Sequence, residues 1–156
     1  MREGTRVGVD VGKVRIGVAR SDPHGMLATP VETVARGDGD IERILAISRE
    51  LGAVELIVGL PLSLAGTPTA STDDAVGFAR LLASTSDVPV RLVDERLSTV
   101  SAHSQMRAAG RSTRTSRSVI DQAAAVIIVQ HALDSERSAG TPPGEIAHPE
   151  EGHHNG

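Results

Sequence analysis

Thr5-Arg6-Val7-Gly8-Val9-Asp10-Val11-Gly12-Lys13-Val14-Arg15-Ile16-Gly17-Val18-Ala19-Arg20 opens with strict alternation. Val7, Val9 and Val11 fall on one face and Arg6, Gly8 and Asp10 on the other, the period of a strand with a single apolar face. Gly12-Lys13 offers a turn into a second strand over residues 15–20, which so tight a connection makes antiparallel to the first. Asp10 therefore sits at the end of the first strand, opposite the valines. A third strand is expected over residues 28–34, with Pro30 marking it as an edge or bulged strand.

Further along, the period changes. Asp38-Gly39-Asp40 supplies an N-cap ahead of Ile41, Ile44, Leu45, Ser48 and Leu51, a helical stripe closed by Gly52. Glu55-Leu56-Ile57-Val58-Gly59 is a short apolar run of the kind found in buried parallel strands. Residues 60–72 read as a loop, 73–83 as a helix, and 90–93 as a strand ending at Asp94-Glu95. Residues 97–109 look helical up to Gly110, and a last helix runs over 118–136. Strands joined through helices are normally parallel. The expected fold is thus an α/β domain with a mixed five-stranded sheet, three antiparallel strands then two parallel, flanked by helices. That domain spans residues 1–137. Residues 138–156 lose all periodicity and are expected to form a disordered acidic tail that joins no core.

Composition narrows the chemistry. A chain of 156 residues, 39% hydrophobic and 23% charged, fits one globular domain. No apolar run approaches the roughly 20 residues of a membrane span, and Met1-Arg2-Glu3-Gly4 lacks a signal peptide's apolar stretch. The expectation is a cytoplasmic protein that makes no use of membranes. The lack of cysteine excludes disulfides, thiol catalysis and cysteine-ligated zinc. With no Trp, no Tyr and a single Phe, Phe78, base-stacking platforms are nearly absent. Lys13 is the one lysine among the basic residues, a bias that a G- and C-rich genome explains, although guanidinium forks also suit phosphate. The net charge of −4 is unevenly spread: from Asp134 onward five acids face one arginine, which leaves residues 1–133 neutral. Within that body, Arg96, Arg107, Arg111, Arg114 and Arg117 form a basic stripe with no interleaved acid.

Several motifs can be set aside. Gly8 to Lys13 resembles a phosphate loop but is one residue short, with Val14 where Ser or Thr is needed. No dinucleotide fingerprint occurs, and His153-His154 is a solvated pair. What remains is a set of carboxylates. Read singly, Asp10 is a turn-forming aspartate, Asp94-Glu95 a solvated strand terminus, and Asp121 the partner of Ser118 in a capping box. Read jointly, acids on the first strand, at the end of a neighbouring strand and on a crossing helix can meet at one point. Such a cluster repels itself unless cations neutralise it, and hard oxygen ligands select Mg²⁺ or Mn²⁺. Two such ions about 4 Å apart can activate water and stabilise the leaving oxygen in phosphodiester cleavage. The arginine stripe would serve a polyanionic substrate, or be merely a solvated helix face.

Five motifs occur in order: Asp10-Val-Gly12-Lys-Val-Arg15-Ile-Gly17-Val-Ala, Val58-Gly59-Leu60-Pro61-Leu62, Gly66-Thr67, Asp94-Glu95-Arg96-Leu97-Ser98-Thr99, and Ile120-Asp121-Gln122-Ala123-Ala124. Together they resemble the YqgF/RuvX family of bacterial nucleases with a ribonuclease H-like fold, over residues 5–135. The resemblance implies a metal-dependent nuclease in which Asp10, Glu95 and Asp121 occupy the family's acidic positions. It implies a role in maturing the 5′ end of pre-16S rRNA and, for some members, in resolving four-way DNA (Holliday) junctions during recombination and repair. Junction resolvases of this broad fold often carry an acid after the fourth strand. Here Gly59-Leu60-Pro61 has none, which leaves Glu95 as the expected second ligand. Arg15, Arg96, Arg111, Arg114 and Arg117 would orient the nucleic-acid backbone. Cutting a two-fold symmetric junction would favour a homodimer. Two other readings stay open: a nucleotide-hydrolysing switch, which needs a second such domain, and a non-catalytic RNA-binding factor in ribosome assembly.

Overall fold

Alternation along β1 (Arg6–Val11) and β2 (Arg15–Ser21) produces an antiparallel hairpin, with Asp10 opposite Gly17 and Gly8 opposite Ala19. The computed structural model that shows this describes residues 2–63, 65–95 and 117–149, the backbone alone for 117–119. β3 (Ala28–Ala35) pairs antiparallel with β2 and lies at the sheet edge. Its register shifts between Val18 and Ala19, opposite Glu32 and Pro30, so Pro30 sits beside a bulge on an edge strand, where its missing N–H costs no ladder bond. α1 (Asp40–Glu50) and α2 (Ala70–Thr85) connect the hairpin to two parallel strands, β4 (Glu55–Leu60) and β5 (Val90–Asp94). The long final helix, α3, spans Arg117–Ala139.

Strand order is β3-β2-β1-β4-β5-β6. The sixth strand, β6 (Glu145–Ile146), corrects both the expected count of five and the reading of the whole 138–156 segment as a disordered tail. It runs antiparallel to β5, Ile146 opposite Arg91, and the Ala147 N–H donates to the Val90 carbonyl at 2.7 Å. Gly144 turns the chain with φ +74°, and a Cβ there would strike the Leu92 carbonyl. Ala147 is 5% exposed and belongs to the main core. A two-residue strand is too short to display a period, which is why the sequence hid it. The helix expected at 97–109, and residues 150–156, lie outside the described residues.

The two faces of the sheet differ in kind. On one, Val7, Val9, Ile16, Val18, Leu56, Val58 and Val90 pack under α1 and α2, meeting Ile44, Phe78, Ala79 and Leu82. On the other, small residues (Gly8, Gly17, Ala19, Ala28 and Gly59) face α3, which settles Ala125, Val129 and Leu133 upon them. Ile57 and Val93 meet Ile128 and Ala132 beside them. At the end of this face remote from Asp10, Arg6 and Glu55 are each 1% exposed. There Arg2 bridges Glu55 and Glu136, while Arg91 pairs with Glu55. The bond from Arg2 holds Glu136 well down, at about 2. Such a network is costly to break from one side, and so it fixes how α3 lies on β1 and β4.

Candidate active site

The alternation that buries the valines sends Asp10 to the α3 face, beyond Gly8. What lies over it is decided by glycine. A Cβ at Gly17, directly opposite Asp10, would overlap the Asp121 carbonyl, and one at Gly8 would overlap the Val129 side chain. Only a bare backbone lets α3 approach this closely. That approach brings Asp121, in the first turns of α3, to the end of β1. Gln122 secures the same turn by donating to Thr33 Oγ1 at 3.0 Å.

Glu95 arrives from the other side. β5 ends at Asp94, and the Glu95 N–H donates to the Leu60 carbonyl at 3.2 Å. Glu95 is 8% exposed, and its Oε2 lies 3.0 Å from the point a Gly59 Cβ would occupy. Gly59 thus makes room for a carboxylate as well as for Ile128. The loop after β4 is folded on itself through the Ser63 and Thr67 hydroxyls, 2.7 Å apart. Thr72 Oγ1 donates to the Pro61 carbonyl, and Thr69 with Thr72 forms the capping box that starts α2.

Asp10 is pushed up to about 7, first by burial and then by the negative charges of Glu95 and Asp121. Each of the three acids therefore belongs to one electrostatic cluster. Arg15 Nε donates to Asp121 Oδ2 at 2.9 Å, a pairing that the sequence did not suggest. As they stand, no three His, Asp or Glu side chains among the described residues are gathered tightly enough to grip a metal ion. The donor set nevertheless suits a hard divalent cation. It is all carboxylate oxygen, and its central member has a proton affinity raised by two like charges that a cation would offset.

Of the arginines expected at the substrate, Arg15 stands beside the acids, its side chain 31% exposed. Arg96, Arg107, Arg111 and Arg114 lie outside the described residues, and Arg117 is placed by its backbone as the first residue of α3. Sequence reasoning missed the glycine face as a site-forming feature, although its signal was present: Gly8 and Gly17 alternate out of phase with the valines.

The RuvX family model, described as Holliday junction resolvase, matches residues 4–135. A protein of Clavibacter michiganensis named "Putative pre-16S rRNA nuclease" is 64% identical over 149 residues, covering 94% of this chain and 92% of that one. A relative of the same name from Leifsonia xyli is 62% identical, covering 96% and 97%. Among solved structures, Thermus thermophilus RuvC in complex with a Holliday junction substrate superposes with a TM-score of 0.57 at 15% identity, covering 90% of this chain and 99% of that chain. That last likeness establishes a ribonuclease H-like fold. The motifs, the glycine-lined seat for α3 and the match over residues 4–135 lead to one conclusion: the chain belongs to the RuvX family.

Proposed function

We propose that this protein is a metal-dependent endonuclease that hydrolyses phosphodiester bonds in structured nucleic acid, and that it processes the 5′ end of pre-16S rRNA in the cytoplasm. One observation carries the reading: Asp10 is held near neutrality by burial and by Glu95 and Asp121. A structural carboxylate gains nothing from such neighbours, whereas a cation site needs them. The relatives named for pre-16S rRNA, at up to 64% identity, favour that substrate.

Asp10, Glu95 and Asp121 are the residues that would hold Mg²⁺ or Mn²⁺. When bound, two such ions supply an activated water and neutralise charge on the leaving oxygen. The chain's own residues do the remainder. Asp10 would give up its proton where a cation is held, since both compete for one carboxylate. Glu95, buried against Gly59 and tied to Leu60 through its backbone N–H, would set the second edge of the site. Arg15 neutralises Asp121 and has further N–H groups to offer a phosphate. Arg96, Arg111, Arg114 and Arg117 would contact the nucleic-acid backbone.

The test incubates the purified protein and Asp10→Asn with pre-16S RNA and with a four-way DNA junction, each with Mg²⁺ or Mn²⁺. Metal-dependent cleavage of the RNA by the wild type, lost in Asp10→Asn, is the expected result. Binding of RNA without cleavage in either metal would instead point to an assembly factor. A second reading, junction resolution, is favoured by the description of the matching family model, and a homodimer would suit the two-fold symmetry of such a junction. It predicts paired cuts in the DNA junction.

A further inference from the structure

The turn that carries Asp10 into the site is gripped from the opposite side of the sheet. Gly12 N–H donates to the Arg15 carbonyl at 3.0 Å, closing the β1–β2 turn. Just past β3, Arg36 takes hold of that turn twice. Its backbone N–H donates to the Val14 carbonyl at 2.9 Å, and Nη1 donates to the Gly12 carbonyl at 2.8 Å. The guanidinium is itself locked in place. Asp74 on α2 accepts from Nη1 at 2.9 Å and Nη2 at 3.1 Å, and Asp40 at the start of α1 lies 3.7 Å from Nε. Below it, the ring of Phe78 is centred 5.2 Å from Cζ. Phe78, the sole Phe, Tyr or Trp of the chain, is buried beneath this cation. One side chain thus joins α1, α2, β3 and the β1–β2 turn.

Ordinary packing does not require this arrangement. A turn closed by its own Gly12–Arg15 bond needs no further staple, and the guanidinium could have stayed in solvent at little cost. What the staple adds is precision where it is most useful. The four residues of the turn follow Asp10 almost directly and end on Arg15, the partner of Asp121. Lys13 and Val14 stand exposed between them, Val14 at 65%. A cluster that must place two carboxylates and a guanidinium to within a fraction of an ångström benefits from a support that does not move.

We propose that Arg36 is a positioning residue for the reaction, acting through the Gly12 and Val14 carbonyls to set Asp10 and Arg15, with Asp74 as the group that orients its guanidinium. This rests on the nuclease reading above but adds a residue outside the acidic motifs, on the far side of the sheet. A planar fork is essential to the geometry, because one nitrogen serves both Gly12 and Asp74 while a second completes the bidentate pair. Lysine keeps the charge and loses the fork.

The test compares wild type, Arg36→Lys, Arg36→Ala, Asp74→Asn and, as a control, Arg43→Ala, whose loss breaks only the exposed pairs with Glu32 and Glu50. Circular dichroism and thermal unfolding report the fold. Single-turnover cleavage and substrate Kd are then measured, and hydrogen exchange at the Gly12 amide reads the turn directly. Arg36→Lys is expected to remain folded, bind substrate within about threefold of wild type, and lose about 10- to 100-fold in cleavage rate. Gly12 exchange should accelerate at least about tenfold, by loss of the staple. Asp74→Asn should fall less, and adding it to Arg36→Ala should cost nothing more, since the pair acts as a unit. Arg43→Ala should cleave normally. A folded Arg36→Lys that cleaves at the wild-type rate, or slow Gly12 exchange in that variant, overturns the proposal. So does a rate loss matched by an equal loss of folded protein. Wild-type protein that cleaves nothing would instead refute the nuclease reading, and accelerated Gly12 exchange in the variant would still establish the staple.

Discussion

Asp10 is a carboxylate that the fold prefers protonated. Its folded value is raised to about 7 against an unfolded value of 3.8, so the native state binds the proton more tightly. Stability therefore falls as pH rises from about 4 towards 7, and the full penalty is present above 7. Asp10→Asn, which cannot ionise, should melt higher than wild type in metal-free buffer. The gain should be negligible at pH 4, grow through pH 6 and level off by pH 8. Thermal melts in a chelator across that range check it, and a gain independent of pH would show that Asp10 carries no such strain. Divalent metal should narrow the difference by stabilising the wild type alone. Asp10 was legible in the sequence because a charge on a strand of valines stands out. The Arg15–Asp121 bond was not, since 106 residues separate the partners and nothing local links them.

At the scale of elements, the site depends on how closely α3 can approach β1 and β2. Gly17→Ala should drive a methyl into the Asp121 carbonyl. That neighbour is helix backbone and cannot rotate aside, so the helix itself must lift. The expected loss is about 3 kcal/mol, the upper end for overpacking, or several degrees in Tm. Where the variant stays folded, cleavage should drop by more than tenfold, because Asp121 moves with the helix. Unfolding curves and single-turnover rates on the same preparation separate the two effects. Normal activity in a folded Gly17→Ala would mean that Asp121 is dispensable. β1 and β2 were readable because their residues alternate, and β4 because residues 56–58 are buried and continuously apolar. α2 begins at Ala70, three residues before the expected 73, because Thr69 and Thr72 cap it where the sequence reads as a Ser/Thr-rich loop. β6 left no such mark. Its stability comes from the edge of β5, which no local pattern records. Deleting residues 140–156 should accordingly lower stability by about 1–3 kcal/mol, through lost ladder bonds and the vacated seat of Ala147. An unchanged Tm would return this segment to the status of a passive tail.

Across the whole molecule, charge is divided by position. Asp10, Glu95 and Asp121, the acids proposed for the chemistry, lie toward one end of the sheet, while the sequence between Arg96 and Ser118 holds five arginines and no acid. A polyanion approaching three clustered carboxylates is repelled unless cations stand nearby, and bound metal alone supplies only local relief. The backbone contact proposed for the stripe carries a thermodynamic signature that simple packing lacks. Each phosphate neutralised by a side chain releases condensed counterions, so log affinity falls linearly with log salt. Replacing Arg111, Arg114 and Arg117 together with Ala should shrink that slope by roughly 2 to 3 units, nearer 2 for single strands and 3 for duplex. Arginines that serve only the substrate contribute little to folding, so the melting temperature should barely move. Cleavage at saturating substrate should fall less than binding does, because these residues position the backbone and leave Asp10, Glu95 and Asp121 untouched. Binding measured by anisotropy between low and physiological salt gives the slope directly. A slope that does not change would show that the stripe is a solvated face and that the nucleic acid reaches the acids by another route.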